Sequence, residues 1–160
     1  MKELTLIGRA EKVDFPQLSF KRVPAKVDTG ADASSIWAKA IDVEDGKLEV
    51  VFFGPESPYY DGEVHKFPRS AYTITRVSSS FGHRELRYKL KLKIKVNERI
   101  INGSFTLADR SAKLYPILLG RSLLKHKFLV DVSKGKPLLA EEKARRAKLK
   151  EEVLLPNEEL

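Results

Sequence analysis

The sequence predicts an all-β domain of roughly 135 residues with one short helix, followed by a charged tail. Three observations carry that reading. In "ELRYKLKLKIKV" the apolar Leu86, Tyr88, Leu90, Leu92, Ile94 and Val96 alternate with Arg87, Lys89, Lys91, Lys93 and Lys95, the period of a long half-buried strand with a basic solvent face. Asp45-Gly46 stands between two apolar runs, a strong hairpin signal, because both residues tolerate the positive φ angles of a two-residue turn. "LYPILLG" is continuously apolar over a short length, as expected of a strand covered on both faces. Many short strands without long helices between them point to a closed barrel or sandwich rather than βαβ units.

Taken in order, "LTLIGRA" and "LSFKRVPAKVD" are β-rich runs, the second containing Pro24, whose missing N–H suits an edge or a bend. "SIWAKAIDVEDGKLEVVFF" is the Asp45-Gly46 hairpin, and "FGPESPYYDGE" is loop by composition. "INGSFTLADR" reads as the partner of the alternating strand across the "NERI" turn. "RSLLKHK" has room for one or two helical turns, which places the short helix near residues 120–126, and "FLVDV" closes the domain as a strand. The domain is assigned to residues 1–139. Residues 140–160 are rich in helix formers and poor in apolar residues, which leaves an exposed helix, a partner-binding arm or disorder, with Pro156 ending any helix.

Composition narrows the function classes. No apolar run approaches the roughly 18–20 residues of a membrane span, and charges interrupt the N-terminal segment, unlike a signal peptide. No membrane association is expected, and a cytoplasmic location fits best. The absence of cysteine excludes disulfides, thiolate zinc sites and cysteine nucleophiles. The net charge is +8, from 30 Lys+Arg and 22 Asp+Glu; the segment from Ala140 onward holds 5 basic and 6 acidic residues, so the body carries 25 − 16 = +9. Such a body attracts nucleic acid or an acidic peptide, or is simply a lysine-rich solvated face.

The chemistry concentrates in "AKVDTGADASS", residues 25–35. A strand ending at Val27 delivers Asp28 into a tight turn, Thr29 offers a hydroxyl to lock it, and Gly30 permits angles or approaches that a side chain would block. One carboxylate is thereby presented rigidly. The bare triplet also occurs in ordinary turns, so context decides. "VDTGADAS" resembles the active-site loop of retroviral-type aspartic proteases, and "PILLGRSLL" resembles their second signature, an apolar strand ending in glycine with arginine opening a short helix. The match is closer still to the bacterial and archaeal retropepsin-like family often labelled ATP-dependent zinc proteases. It rests on "KVDTGA" (Lys26 to Ala31), "GHRELR" (Gly82 to Arg87) and "LLGRSLLKHKFLVD" (Leu118 to Asp131), and covers about residues 4–138.

This resemblance implies a retropepsin-like closed barrel and an aspartic endopeptidase, with Asp28 catalytic and Thr29, Gly30 and Ala31 supporting it. Such an enzyme needs two carboxylates that share a proton: the ionised one acts as base on the attacking water, and the protonated one polarises the scissile carbonyl. Like charges so close titrate as a unit. One Asp-Thr-Gly per chain then implies a twofold homodimer, Asp28 of each subunit facing its mate. The resemblance also implies a bidentate ion pair between Asp32 and Arg121, bracing the loop against the helix. "AYTITRV" and "ELRYKLKLKIKV" suit a flap hairpin with "SSSFGHR" at its tip. There Gly82 supplies mobility, Phe81, His83 and Arg84 reach a peptide or protein substrate, and Arg84 with Arg87 favours acidic peptides.

No cofactor and no metal are expected. His65, His83 and His126 lie far apart in unlike contexts, and there is no His-Glu-x-x-His pattern. No glycine-rich phosphate loop supports ATP binding; that part of the family label is read as association with ATP-grasp ligases that add glutamates to proteins. Two other readings stand beside the enzyme. One is a peptide-binding module of the same fold without efficient proteolysis. The other is a nucleic-acid-binding barrel using the Lys89–Lys95 face, which is disfavoured because Tyr88 falls on the apolar face and no exposed aromatics are interleaved for base stacking.

Overall fold

A computed structural model describes residues 3–78, 82–135 and 139–154. The chain is mostly β. Its strands are β1 (Thr5–Ile7), β2 (Ala10–Phe15), β3 (Phe20–Val27), β4 (Ser34–Glu44), β5 (Lys47–Phe52), β6 (His65–Phe67), β7 (Tyr72–Ser78), β8 (Arg84–Val96), β9 (Arg99–Ala108), β10 (Ile117–Leu119) and β11 (Phe128–Val130). Two helices complete it: α1 (Arg121–Leu124), where the short helix was predicted, and α2 (Leu139–Leu154) in the charged tail.

The strands pair in the order β10-β3-β2-β8-β9-β4, and β4 pairs again with β10, so the pairings close into a ring. The expected closed barrel is met only in this form, because the two longest strands belong to the ring over one half of their length and pair outside it over the other. β8 pairs with β9 over Lys89–Val96 and with β7 over Arg84–Leu90, while β4 pairs with β9 over Ser34–Trp37 and with β5 over Ala38–Glu44. The far halves of β4 and β8 therefore leave the ring as hairpin arms. The alternation in β8 changes meaning where it leaves: Leu90, Leu92, Ile94 and Val96 are buried, whereas Leu86 is 66% exposed. Inside the ring Phe15 meets Phe105 edge to face, with Ile36, Ile94, Ile117 and Leu119 fully buried around them.

Both turn signals operate through positive φ. Asp45 and Gly46 sit at +52° and +75° between β4 and β5, and Asn97 and Glu98 at +45° and +68° between β8 and β9, as a two-residue turn between right-twisted strands requires. Pro24 departs from expectation, since it lies inside β3, flanked by β2 and β10. Val27 donates its N–H to the Arg9 carbonyl on the β2 side, so alternation turns position 24 toward β10, whose pairing with β3 begins only at Ala25. Pro24 thus has no ladder bond to lose. β1 and β11 form a separate parallel pair, with Leu6 opposite Leu129.

Candidate active site

The site is built where β10 threads between β3 and β4. β10 runs parallel to β3, with Leu119 opposite Val27, and antiparallel to β4, with Leu118 opposite Ser35. The loop from Asp28 to Ala33 must therefore pass around the end of β10, and it is bonded to what it crosses. Asp28 donates its N–H to the Leu119 carbonyl at 2.9 Å, while the N–H groups of Arg121 and Ser122 donate to the carbonyls of Ala31 and Asp32 at 2.8 and 3.0 Å. The Gly120 N–H donates to the buried Ser34 hydroxyl at 2.9 Å. A Cβ on Gly120 would stand 2.5 Å from the Ala33 carbonyl oxygen, so glycine is required there for close approach.

Asp28 is half-buried at the mouth of this crossing. Its Oδ1 accepts the Gly30 N–H at 2.9 Å, and a Cβ on Gly30 would sit 3.2 Å from that same oxygen. Gly30 thus serves by leaving room for the carboxylate rather than by a left-handed angle. The Ala31 N–H closes the turn onto the Asp28 carbonyl at 3.2 Å. Thr29 is exposed, and it is its carbonyl that the fold ties down, accepting from Arg121 Nη1 at 3.0 Å.

Asp32 and Arg121 both brace the loop, through different partners. Asp32 Oδ1 accepts from the Ser122 hydroxyl at 3.0 Å, while Arg121 reaches the Thr29 carbonyl. No ion pair joins the two among the described residues, and the expected bidentate contact is replaced by two neutral-to-charged hydrogen bonds.

Sequence reasoning missed Arg110. It follows β9 and is half-buried, with Nε donating to the Tyr115 carbonyl at 2.9 Å and Nη1 to the Ser35 hydroxyl at 3.3 Å. Burial pushes its guanidinium down from the ordinary value, and the charge of Asp28 pulls it back up. In the sequence it is one more charge in a polar loop; only the tertiary fold brings it to Ser35 of β4. Its neighbours Asp109 and Ser111 line a groove of about 800 Å³ that also takes Trp37, Phe53, Leu86 and Tyr88. Hydrogen bonds from the Ser111 hydroxyl and N–H hold Asp109 below the usual carboxylate range.

The suggested flap is a real hairpin: β7 and β8 pair from Tyr72 opposite Leu90 to Ser78 opposite Arg84. Gly82 is exposed at φ +78°, with His83 and Arg84 beside it, while Phe81 lies outside the described residues. Arg87 pairs with Glu85 at 3.0 Å. Among the described residues one group brings ligand atoms within 4.8 Å of one another, Asp61, Glu63 and His65. There the imidazole Nε2 lies 2.9 Å from Asp61 Oδ2. No helix among the described residues is long and apolar enough to cross a membrane.

A crossed Asp-Thr-Gly loop on a ring of β-pairings is the architecture of a retropepsin-like protein. The chain belongs to the RimB-like family: the family profile, described as "Retropepsin-like aspartic endopeptidase RimB", matches residues 6–137. It is also similar to proteins named "Probable alpha-L-glutamate ligase". That of Desulfotalea psychrophila is 30% identical over 97% of this chain and 36% of its own length. That of Shewanella pealeana is 31% identical over 81% of this chain and 29% of its own. The chain thus spans about a third of the length of these curated relatives. Among solved structures, the Legionella pneumophila protein Lpg0085, of unknown function, shares the fold with a TM-score of 0.58 at 24% identity, over 81% of this chain and 95% of that one.

Proposed function

We propose that this chain is an aspartic endopeptidase acting as a cytoplasmic homodimer, in which Asp28 of each subunit activates a water against a peptide bond. The observation that carries the reading is the crossed loop itself: it fixes one carboxylate at a half-buried turn, with Gly30 leaving its oxygen free of side-chain crowding. One such carboxylate is half of the chemistry. In the dimer the ionised Asp28 takes a proton from water while its protonated mate hydrogen-bonds the scissile carbonyl, so the pair needs one shared proton. In this reading Thr29, which is exposed beside Asp28, bonds across the two loops.

The dimer is supported by an apolar stripe on the β1/β11 pair. Leu6 and Leu129 lie side by side at 40% and 58% exposure, extended by Leu4 and Val132. A patch of this kind on a small domain suits contact with a second copy. For the substrate we propose an acidic peptide or protein tail. The excess of Lys and Arg in the body, the exposed Arg84 at the hairpin tip and the glutamate chemistry in the relatives' names favour that class.

The test is cleavage of a mixed peptide library, enriched in glutamate, from about pH 3 to 8, by wild type and Asp28→Asn. Wild-type cleavage that disappears in the nearly isosteric variant supports the mechanism. Cleavage that survives in the variant overturns it, and silence from both favours the peptide-binding module.

A further inference from the structure

β9 ends at Ala108, while the strands on either side of it run on. Its pairing with β4 stops at Trp37 opposite Ala108, and its pairing with β8 stops at Lys89 opposite Thr106. Beyond those points β4 continues to Glu44 and β8 extends back to Arg84. After Asp109 the chain leaves the line of β9: it folds back in a turn, the Lys113 N–H donating to the Arg110 carbonyl at 3.0 Å, and goes on into β10. What remains is the groove of about 800 Å³, lined from one side by Lys39 and Ile41, from the other by Leu86 and Tyr88, with Leu107 and Asp109 where β9 stops. Two strands that flank a third stand two strand spacings apart, about 10 Å, so at that end the opening is one strand wide.

The two edges along this groove are open. Trp37 donates its N–H to the Pro116 carbonyl and accepts the Phe53 N–H at its own carbonyl, each at 2.8 Å, so β5 follows β10 along one edge of β4. Alternation turns the N–H and C=O of Ala40 to the other edge, the one β9 has left. In β8, Lys89 and Leu90 pair with β7 and β9 at once, so those neighbours lie on opposite edges. Lys93 donates its N–H to Gln17 on the β2 side, away from β9. Alternation from Lys93 brings the backbone groups of Tyr88 and Leu86 to the β9 edge. Among the described residues no strand pairs with either edge beyond the end of β9. Leu86, 66% exposed, stands on the same face as buried Leu90 and Leu92, so a strand in the opening would extend the apolar layer of the core over it.

We propose that this opening is a docking site for an extended segment of another polypeptide, taken up as a strand between β4 and β8. The segment is apolar at the alternate positions that cover Leu86 and polar at those beside Lys39 and Arg87. The backbone specifies this occupant, because donors and acceptors on two facing edges are matched together only by an extended peptide chain. A strand already paired in a folded sheet has at most one edge to offer, so a second folded copy does not fit. The site lies roughly 20 Å along β4 from Ser34, which accepts the Gly120 N–H at the crossing. The inference therefore stands apart from the peptidase reading. A strand seated there ties the β7/β8 hairpin to the β4/β5 arm.

The experiment titrates a library of short capped peptides, apolar at alternate positions and serine, threonine or lysine between, into the Asp28→Asn protein, so that cleavage cannot consume the probe. Trp37, the single tryptophan of the chain, lines the groove, and its emission reports occupancy. Hydrogen exchange of the Ala40, Leu86 and Tyr88 amides reports the backbone bonds. The expected result is saturable binding by alternating peptides, with these amides exchanging at least about tenfold more slowly in the complex. N-methylation of the peptide's edge-facing amides, or Leu86→Lys in the protein, weakens binding at least about tenfold, and the lysine variant keeps the melting temperature of its parent. Equal binding by N-methylated peptides, or by peptides of the same composition with their apolar residues in one block, overturns the proposal. So do amides already protected without peptide, which would mean that the chain fills the opening itself, and a library in which nothing binds. Self-association that Leu86→Lys abolishes, without peptide binding, gives the site to a second copy and likewise overturns it.

Discussion

At the scale of single residues, the site depends on two glycines for different reasons. Gly30 keeps a side chain off the Asp28 carboxylate, and Gly120 lets β10 pass beneath the loop. Neither has a positive φ, so the constraint in both is space. Gly120→Ala would drive a methyl into the Ala33 carbonyl, and overpacking of this kind costs ~1–3 kcal/mol. The expected outcome is a Tm lowered by several degrees for a domain of this size, with cleavage reduced as the Asp28 loop is pushed out, measured by thermal melts alongside activity. Asp28, Thr29 and Gly30 were legible in the sequence because the turn that presents the carboxylate is local. Arg110 was not, since its bond to Ser35 exists only through strands far apart in the chain. The Asp32–Arg121 ion pair was drawn from family likeness, and here both side chains take other partners, Ser122 and the Thr29 carbonyl.

At the scale of elements, α2 explains how a charged tail stays on the body. Its few apolar residues do not fill the space beneath it, and a cavity of about 330 Å³ remains, walled by Trp37, Tyr59, Leu114 and Pro116. Polar contacts hold the helix instead. The Tyr115 hydroxyl donates to buried Glu142, Arg145 donates to the Ser111 and Lys113 carbonyls, and Lys148 reaches the Glu56 carbonyl at 3.2 Å. Burial first, and then the bond to Glu142, raises the Tyr115 pKa above its ordinary value. A phenol favoured in its neutral form by folding contributes stability that is full below its unfolded pKa, near 10, and fades as pH rises through the raised one. Hydrogen exchange along residues 139–154 is therefore expected to be slow at neutral pH and to lose protection in alkali beyond the ordinary dependence of exchange. Tyr115→Phe removes the hydroxyl that donates to buried Glu142, leaving that carboxylate the Arg9 guanidinium at 3.9 Å, a loss of ~1–3 kcal/mol, and should loosen the helix at neutral pH while the ring of strands stays folded. The sequence composition showed that this segment favours helix, but its docking depends on carbonyls offered by residues 111–113 and on Glu56, which no pattern within the tail reveals.

At the scale of the whole molecule, the proposed dimer, with one Asp28 from each chain, would make activity a property of the assembly. If the β1/β11 stripe is the contact, Leu6→Glu or Leu129→Glu places a charge on an exposed face. Each should cost the monomer little, within about 0.5 kcal/mol, while weakening self-association tenfold or more. Sedimentation equilibrium and specific activity should then fall together as concentration is lowered, and the melting of the monomer should barely change. Association unaltered in both variants would place the interface elsewhere.

What the sequence by itself determined is the material of local, periodic and turn-bound features. Alternation in β8, Asp45-Gly46 in its hairpin, the short helix behind Gly120 and the carboxylate on its tight turn each depend on neighbours within a few residues, which backbone sterics and hydrophobic period specify directly. Only the tertiary structure decided that β10 is threaded between β3 and β4, that Pro24 is tolerated inside the sheet because β10 begins one residue beyond it, and that Arg110 comes to rest against Ser35 and the Tyr115 carbonyl. Those are consequences of which distant strands pair and in what register, and pairing energies of that kind belong to the closed ring as a whole, so no single segment carries their signal.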